Sequence, residues 1–374
     1  MNQKKLLFDP TPTFFPAGSP IKRETPRPVE YREVDYFDKF DDNTVFFDLF
    51  HSVCGKNIFA VCPPMLNFEN LFLEGLSSQP ANESAAVVSN HKHNRLQVIE
   101  FETESQHQQF LSFKIADMTF KTSVSTNSSD IFVGKNVVVT HQKNNDLGWI
   151  QYWINFYSKF HAANAFLIFD NGSGQYSAQD LLNSIELPKN VEILGVVNWP
   201  FKFGPQAVDH PYWDSDFCQY GALETARRRF LAKSRAVLSV DIDELVINEL
   251  DSETIFDATA NVDAESLSFT GVWIDNFFET HNDRKPIDHR EFHFIDTSAP
   301  QCATKYIYNP TQLRADALIQ LHDLVRAQTH WTEKFRFRHF RGISTNWKDN
   351  RSEWQVSKEN RVYDEFWATL RNES

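Results

Sequence analysis

The chain has 374 residues, which is enough for two domains or for one large domain. Its hydrophobic fraction of 41% is ordinary for a protein with a packed core. The formal net charge of -13 excludes a general electrostatic attraction to nucleic acid or to an anionic membrane surface. A phosphate-bearing ligand therefore needs a metal ion or a local basic cluster in order to bind.

The cysteines and the N-terminal residues favour a cytoplasmic protein. The beginning of the chain lacks the apolar core of a signal peptide, and no apolar run approaches the length of a transmembrane segment. No two cysteines form a CxxC pair, so we expect free, buried thiols in a reducing compartment. The four cysteines are Cys54, Cys62, Cys218 and Cys302.

The first third of the chain predicts an arm followed by a small β-rich domain. Residues 1–38 hold six prolines among many charges, which predicts an extended or disordered arm. Residues 39–130 contain short runs of alternating apolar and polar residues, for example 96–101 and 110–115, which predict antiparallel strands. The Ser-, Thr- and Asn-rich stretch 123–130 predicts a linker to the rest of the chain.

Residues 131–374 predict a layered α/β domain built on a parallel sheet. Continuous apolar runs, as in strands covered on both faces, alternate with helical patterns. Asp146 is placed to cap the first helix, and Ser177 with Asp180 predicts a capping box for the second. A longer helix is predicted from about Ser215 to Ala232. The four predicted strands are 137–140, 165–169, 191–197 and 236–240.

Polar clusters follow these strands where a layered α/β sheet binds its ligands. The densest cluster is Asp241-Ile242-Asp243-Glu244, with three carboxylates in four positions after an apolar strand. In an extended segment the side chains of Asp241 and Asp243 point to one side and repel each other unless a cation lies between them. Oxygen ligands favour Mg²⁺ or Mn²⁺. The alternative interpretation is an acidic strand-to-loop exit that caps the next helix.

Residues from about 136 to 354 resemble bacterial GT-A glycosyltransferases related to glycosyltransferase families 2 and 92. The resemblance implies a GT-A-like, Rossmann-like domain preceded by the small β-rich domain. Three stretches carry it, and the second is the most specific because its helix, strand and acidic motif follow the family's order. They are 137–173 with its Phe169-Asp170-Asn171-Gly172-Ser173 turn, 217–245 with the acidic motif, and 303–341 with Lys305, His322 and His339-Phe340-Arg341.

The resemblance also implies roles for individual residues. Thr140 and Asp170 would contact the nucleoside, Asp241 and Asp243 would hold a Mn²⁺ or Mg²⁺ ion with the donor diphosphate, and His322 would close the metal site. His339 is followed by Phe340, where the family commonly has tyrosine. The predicted metal ligands are Asp241, Asp243 and His322. The predicted donor-binding residues are Thr140, Asn145, Asp170, Asn171, Arg227, Asp241, His339 and Arg341.

A basic segment near the C-terminus supplies the positive charge that the whole chain lacks. Between Trp331 and Arg351, apolar and cationic residues alternate, so a strand here would have one apolar and one cationic face. The cationic face is a candidate for binding a diphosphate, and the alternative is a surface strand with solvated charges. Its cations are Lys334, Arg336, Arg338, Arg341, Lys348 and Arg351.

An inverting transferase also needs a carboxylate that accepts the proton of the acceptor hydroxyl. Asp275 follows a predicted fifth strand and is the candidate, with a turn cap as the alternative. Trp273, Phe277 and Phe278 surround it and are candidates for stacking on a sugar, although aromatic residues near a strand more often belong to a core.

The sequence thus predicts a metal-dependent, hexosyltransferase-like enzyme of polysaccharide biosynthesis. It would move a sugar from a nucleotide-sugar donor, UDP-linked in our prediction, to a glycan or other hydroxyl acceptor with inversion, and it would bind no nucleic acid. The alternatives are a metal-dependent phosphohydrolase and a non-catalytic carbohydrate-binding protein. The sugar, the acceptor and the oligomeric state stay open.

Overall fold

The computed structural model describes residues 3–77, 86–103, 108–206, 211–275, 288–343 and 358–373. The chain divides into two compact units. The first comprises Met1–Phe8, Phe132–Val197 and Ser234–Ser374, and the second comprises Asp9–Ile131 and Asn198–Lys233. Each unit is therefore built from segments that are separated in the sequence by segments of the other unit. Independent folding of residues 39–130 alone stays a prediction.

The secondary structure alternates in type through the middle of the chain and is mostly β at both ends. The helices are α1 (Tyr36–Lys39), α2 (Glu69–Ser77), α3 (Leu147–Phe160), α4 (Ala178–Ser184), α5 (Phe217–Thr225), α6 (Ile255–Ala260) and α7 (Glu365–Glu373). The strands are β1 (Lys4–Phe8), β2 (Thr13–Phe14), β3 (Thr44–Phe46), β4 (Asp48–His51), β5 (Asn57–Cys62), β6 (Val87–His93), β7 (Leu96–Glu102), β8 (Phe110–Ile115), β9 (Met118–Ser123), β10 (Asn136–Gln142), β11 (Ala165–Asp170), β12 (Ile193–Asn198), β13 (Ala236–Ser239), β14 (Glu244–Asn248), β15 (Ser266–Asp275), β16 (Phe294–Asp296), β17 (Lys305–Tyr308), β18 (Leu318–Ile319), β19 (Leu324–Val325), β20 (Thr329–Phe340) and β21 (Arg361–Tyr363).

Eleven strands of the described residues form one mixed sheet in the first unit. Its order is β1-β12-β11-β10-β13-β17-β15-β16-β21, and β20 pairs with both β15 and β14. The pairs β1–β12, β10–β11, β10–β13 and β15–β20 are parallel, whereas β17 is antiparallel to both β13 and β15. The carboxyl ends of β10, β11 and β13 therefore lie side by side at one edge, as the alternating sequence pattern predicts.

The predicted helix starts are present in the first unit. The Asp146 side chain accepts a hydrogen bond from the backbone amide of Gly148 at 2.9 Å and so caps α3. Ser177 and Asp180 form the reciprocal capping box of α4. Helix α3 buries a continuous apolar face on the sheet, where Trp149 and Trp153 belong to the same core cluster as Phe166. This face fixes the helix against the strands that carry the polar clusters.

The second unit holds antiparallel strands, as the alternation in residues 39–125 predicts. A four-stranded sheet has the order β4-β5-β7-β6, and β8 with β9 forms a hairpin. The predicted helix over residues 215–232 consists of α5 followed by a π-helical turn, Ala226–Phe230. The predicted linker is held by hydrogen bonds within this unit, because the Asn127 side chain donates to the carbonyls of His51 and Arg228.

Two further sequence expectations can be compared with the structure. None of the four cysteines, all within the described residues, is in a disulfide, but Cys54 is exposed, so the expectation of four buried thiols is wrong at that position. Cys54 lies in the turn between β4 and β5, where its neighbour Val53 is also exposed. Among the described residues, no helix combines the length and apolar character that crossing a bilayer requires.

Candidate active site

The three carboxylates that follow β13 lie in a tight turn, which we call the acidic turn (Asp241–Glu244). The amide of Glu244 donates to the carbonyl of Asp241 at 3.1 Å, and the Glu244 carboxylate accepts from the Asp241 amide at 2.9 Å. The sequence-based expectation of an extended segment is therefore wrong. The chain reverses here because β13 pairs with β10 and β17, whereas β14 leaves them to pair with β20.

Every backbone carbonyl of the acidic turn accepts a hydrogen bond from another part of the first unit. A turn tied at all four carbonyls is held rigidly, because each bond would have to break before the carboxylates could move apart. The donors to the carbonyls of residues 241, 242, 243 and 244 are, in that order, the Trp153 indole at 3.0 Å, the His289 imidazole at 2.8 Å, the Phe340 amide at 2.8 Å and the Tyr157 hydroxyl at 2.9 Å.

One face of α3 supplies two of these donors and a third contact to β14. Trp153, Tyr157 and His161 are spaced four residues apart and therefore follow one another along the same face of the helix. The Tyr157 hydroxyl also accepts from the amide of Val246 at 3.1 Å, and His161 Nε2 lies 2.8 Å from the Val246 carbonyl oxygen. These side chains satisfy the backbone groups of β14 that its pairing with β20 leaves open.

Lys305, the first residue of β17, is the counter-charge of the acidic turn. Its Nζ lies 2.5 Å from Asp241 Oδ2 and 3.0 Å from Glu244 Oε2, and the residue is 4% exposed. Burial alone would raise the pKa of Asp241, but the charge and hydrogen bond of Lys305 outweigh it and bring that pKa to about 2. Burial raises the pKa of Glu244. Lys305 therefore stabilises the ionised form of Asp241 more strongly than burial disfavours it.

The other aspartate of the turn faces an aromatic and cationic cluster. His339 Nε2 lies 3.0 Å from Asp243 Oδ2. The parallel register of β15 and β20 places Trp273 opposite His339, and their rings stack at 4.0 Å with 15° between the planes. The Arg341 guanidinium lies 5.3 Å from the centroid of the Trp273 ring and donates to Asp296 at 2.9 Å. Of the predicted donor-binding residues, His339 thus lies directly beside the acidic turn.

His322 occupies the turn of the β18–β19 hairpin and is exposed. Its Nδ1 lies 3.0 Å from the carbonyl oxygen of Thr304, and the Thr304 hydroxyl donates back to the His322 carbonyl. Thr304 directly precedes Lys305, and the charge of His322 contributes to the lowered pKa of Asp241. The structure therefore places His322 near Asp241, and its predicted role as a metal ligand stays a prediction.

The ends of β10 and β11 form a second polar cluster along the same edge. Gln142 donates to the carboxylate of Asp170, and the Ser173 hydroxyl donates to Asp170 Oδ1 at 2.5 Å. Burial raises the pKa of Asp170. Tyr176 donates to Gln142 Oε1 at 3.1 Å. These bonds hold the Asp170 carboxylate in a fixed orientation at the end of its strand.

The remaining residues predicted to contact the nucleoside lie around this cluster. Thr140 is 2% exposed, and its hydroxyl has no hydrogen-bond partner within the described part of the chain. The Asn145 side chain donates to Gln142 Oε1 at 3.3 Å, and the Asn171 amide donates to the Gln142 carbonyl at 2.8 Å. A buried hydroxyl without a partner is costly unless a ligand or a water molecule satisfies it.

Asp275 ends β15 and is 7% exposed. Its Oδ2 lies 3.3 Å from the guanidinium of Arg361, which begins β21 on the far side of β16. The predicted base is thus engaged by an arginine, and its catalytic role stays a prediction. Phe277 and Phe278, which we also predicted around this position, lie outside the described residues.

The cations of β20 are paired with acidic residues, and the predicted contact of this face with a diphosphate stays a prediction. Lys334 bridges Asp251 at 2.7 Å and Glu253 at 2.6 Å. Arg338 is buried and pairs with Asp364 at 2.5 Å and with Glu249 at 2.7 Å. Acidic residues distant in sequence neutralise these cations, and the alternation pattern contained no information about them. Lys348 and Arg351 lie outside the described residues.

Arg227 belongs to the second unit, in the π-helical turn after α5. It is 6% exposed, and its guanidinium lies 3.2 Å from the carboxylate of Glu224 one helical turn earlier. Its contact with a donor stays a prediction.

The acidic turn offers the ligand chemistry that Mg²⁺ or Mn²⁺ prefers. Such ions are often held by one or two carboxylates, with substrate phosphates completing the coordination shell. Lys305 and His339 each engage the Oδ2 atom of one aspartate, Asp241 and Asp243 respectively. Across the described ranges, no group of three or more His, Cys, Asp or Glu side chains is arranged as a metal site. The carboxylates have the chemistry that such an ion prefers, and the binding of an ion at the acidic turn stays a prediction.

Sequence reasoning missed the residues that hold the acidic turn. Lys305 was part of the quoted third stretch, yet no spacing rule connects it to Asp241, which lies 64 positions earlier. His289 and Trp153 are equally remote from the turn in sequence. The spacing of Trp153, Tyr157 and His161 was readable, but an aromatic stripe at helical spacing normally indicates only a core face.

Comparisons with known proteins give no family assignment. No family model matches the sequence, and no curated protein sequence matches it. Solved structures match parts of the chain at low identity. Among them are the mannosyltransferase Ktr4p from S. cerevisiae in complex with GDP (13% identity, TM-score 0.26, 37% of this chain and 41% of that one), the 4-diphosphocytidyl-2C-methyl-D-erythritolsynthase from Anaerococcus prevotii (11%, 0.24, 47% and 71%) and an active-site mutant of LgtC (14%, 0.26, 47% and 58%).

The chain thus spans less than half the length of the mannosyltransferase that it matches. TM-scores of this size do not establish a shared fold. The function has to be inferred from the geometry of the acidic turn and of the strand ends beside it.

Proposed function

We propose that this chain is a glycosyltransferase of the GT-A kind, which moves a sugar from a nucleotide-linked donor to a glycan or other hydroxyl acceptor. The observation that carries the proposal is the rigid acidic turn at the carboxyl edge of a parallel strand pair, with the Asp170 cluster two strands away along the same edge. Ligands of layered α/β sheets bind at this edge. A diphosphate next to the turn and a nucleoside next to Asp170 would span it.

The nucleoside half of the proposed site is the end of β10 and β11. The fixed Asp170 carboxylate is suited to accept hydrogen bonds from a base or ribose, and the hydroxyl of Thr140 needs a partner there. Asn145 and Asn171 frame the same cluster through Gln142. Two adjacent strand ends with oriented polar groups match the requirement of a nucleoside, which offers several donors and acceptors on one rigid ring system.

The diphosphate half of the proposed site is the acidic turn and the cations beside it. Asp241, Asp243 and His322 would hold a Mn²⁺ or Mg²⁺ ion, which when bound would neutralise the departing diphosphate. Lys305, His339 and Arg341 supply fixed positive or hydrogen-bond-donating groups from the protein itself. This concentration of cations answers the need set by the net charge of -13, because an acidic protein must offset phosphate repulsion locally.

The proposed acceptor side of the site consists of Asp275 and Trp273, both on β15. Asp275 would take the proton of the attacking hydroxyl, giving inversion at the sugar, once its carboxylate turns from Arg361 toward the acceptor. The half-buried Trp273 would contact the C–H groups of a sugar with the part of its ring that stays exposed beside His339 and Arg341. The glycan or other hydroxyl acceptor is thus proposed to approach along the end of β15.

Calorimetric titration of UDP, GDP and ADP, each with and without Mn²⁺, tests the proposal. We expect one nucleotide to bind in a Mn²⁺-dependent manner and Asp243→Asn to weaken that binding at least about tenfold while the melting temperature without ligand stays the same. Asp251→Asn is the matched control, because Asp251 also pairs with a basic side chain but lies 52% exposed on β14's distal loop. Equal nucleotide affinity in Asp243→Asn and the wild type would remove the acidic turn from the donor site.

A further inference from the structure

Three carboxylates within four residues repel one another, and Lys305 reduces this repulsion in the protein without a ligand. With Asp241, Asp243 and Glu244 ionised and one ammonium group from Lys305, the turn carries a local formal charge of -2. Without Lys305 it would be -3, in a turn whose four carbonyls are tied so that the carboxylates cannot separate. The lysine therefore stabilises the turn in the form that the structure shows.

The ammonium group of Lys305 is confined to the vicinity of the acidic turn. Lys305 begins β17, which is paired on one side with β13 and on the other with β15, and Lys305 itself lies opposite Phe269 of β15. Its side chain is 5% exposed, and moving a buried ammonium group away from both carboxylates would leave it without a counter-charge. Any second cation at Asp241 must therefore share that carboxylate with Lys305.

We propose that Lys305 is a built-in cation of the acidic turn, and that a divalent ion binding at Asp241 competes with it. In the protein without a nucleotide, the ammonium group keeps divalent ions out by repulsion. When a donor diphosphate is present, its negative charges offset the repulsion between the ammonium group and the divalent ion, so that the ion can bind. Lys305 then contacts a phosphate oxygen. Metal binding thereby becomes conditional on the donor. This inference rests on the proposed metal-binding role of the turn and not on sugar transfer.

Direct binding of Mn²⁺ in the absence of any nucleotide tests the competition. Mn²⁺ alone is the probe, and its free concentration is followed by electron paramagnetic resonance during titration of the full-length chain. We expect Lys305→Met to bind one Mn²⁺ about tenfold more tightly than the wild type, because a repelling unit charge next to the ligands is gone. Lys334→Met is the matched control, since Lys334 also bridges two carboxylates, and it should leave Mn²⁺ affinity at the turn unchanged.

A second pair of variants covers the case in which Lys305→Met does not fold. Lys305→Met/Glu244→Gln removes one positive and one negative charge, so the formal charge of the turn stays at -2 as in the wild type. Compared with Glu244→Gln alone, the double variant should bind Mn²⁺ about tenfold more tightly. Its melting temperature should also rise more on addition of Mn²⁺, because ligand binding to the native state raises stability.

The outcomes separate this inference from the proposed function. Tighter Mn²⁺ binding in the variants that lack Lys305 supports the competition, whether or not the wild type shows transferase activity. Unchanged or weaker Mn²⁺ binding in both variants overturns it, even if a nucleotide binds to the wild type and Asp243→Asn abolishes that binding.

Discussion

His161 Nε2 lies 2.8 Å from the carbonyl oxygen of Val246, and the amide of Ile255 points at the other ring nitrogen of His161, Nδ1, at 3.3 Å. This arrangement requires the neutral imidazole, with the proton on Nε2, because a proton on Nδ1 would face an N–H donor. Burial also lowers the pKa of His161 to about 4. His161 therefore makes both of these backbone contacts only when its imidazole is uncharged.

Acidification should destabilise the protein through His161. Between the unfolded pKa near 6.5 and the folded pKa of about 4, the unfolded chain binds a proton that the folded chain refuses. The contribution is fully present above pH 6.5 and is lost as the pH falls toward 4. Lowering the pH from 7 to 5 should cost about 2 kcal/mol in the free energy of unfolding from this residue.

Urea unfolding of the wild type and of His161→Gln at both pH values measures this contribution. Glutamine can donate to Val246 and accept from Ile255 without titrating. The variant should therefore lose about 2 kcal/mol less than the wild type between pH 7 and pH 5. Parallel losses in the two proteins would show that His161 does not titrate on unfolding in this range.

Tyr157→Phe should loosen the backbone that follows the acidic turn. The hydroxyl donates to the Glu244 carbonyl and accepts from the Val246 amide, so its removal leaves two buried backbone groups without this partner. We expect a loss of about 1–3 kcal/mol in the free energy of unfolding. Tyr363→Phe, which removes an exposed hydroxyl, should change stability by less than about 0.5 kcal/mol. Equal effects of the two variants would contradict the bridging role.

Arg338→Met should be strongly destabilising because its partner Asp364 stays buried. Both side chains are 1% exposed, and Asp364 also accepts from the Trp367 amide at the start of α7. Breaking a buried ion pair by removing one member typically costs about 3–5 kcal/mol. Arg336→Met, on the same strand but 36% exposed and 3.8 Å from Glu249, should cost less than about 1 kcal/mol. Chemical denaturation of both variants decides between a structural ion pair and a dispensable one.

Gly271→Ala should disturb the contact between β15 and β20. A Cβ atom at Gly271 would lie 2.5 Å from both the ring and the carbonyl oxygen of Phe337, closer than real Cβ contacts allow. We expect a cost of about 1–3 kcal/mol from the shift of one strand. Gly174→Ala is the control, because a Cβ atom there meets nothing within 4 Å. If Gly271→Ala leaves the melting temperature unchanged in thermal unfolding, the two strands can move apart without a loss of stability.

The sequence allowed the alternating strands, the helix caps at Asp146 and Ser177, and the common edge of Asp170 and Asp241 to be predicted. The strands and the caps depend on residues a few positions apart, where periodicity and capping rules apply. The common edge follows from the alternation of strand and helix, which places the carboxyl ends of parallel strands together. The counter-charge at Lys305 and the carbonyl contact from His289 could not be predicted. They depend on which strands become neighbours in space. β17 pairs with β13 although about 65 residues separate the two strands in the sequence.

The pairing of β1 with β12 has a consequence for the order in which the chain can fold during synthesis. Lys4–Phe8 leaves the ribosome nearly two hundred residues before its partner Ile193–Asn198 does. At ordinary elongation rates of about 5–20 residues per second, the first strand waits at least roughly ten seconds without its neighbour. A bulky N-terminal fusion would stay attached to that waiting strand. Placing an affinity tag at the C-terminus instead should raise the yield of folded protein.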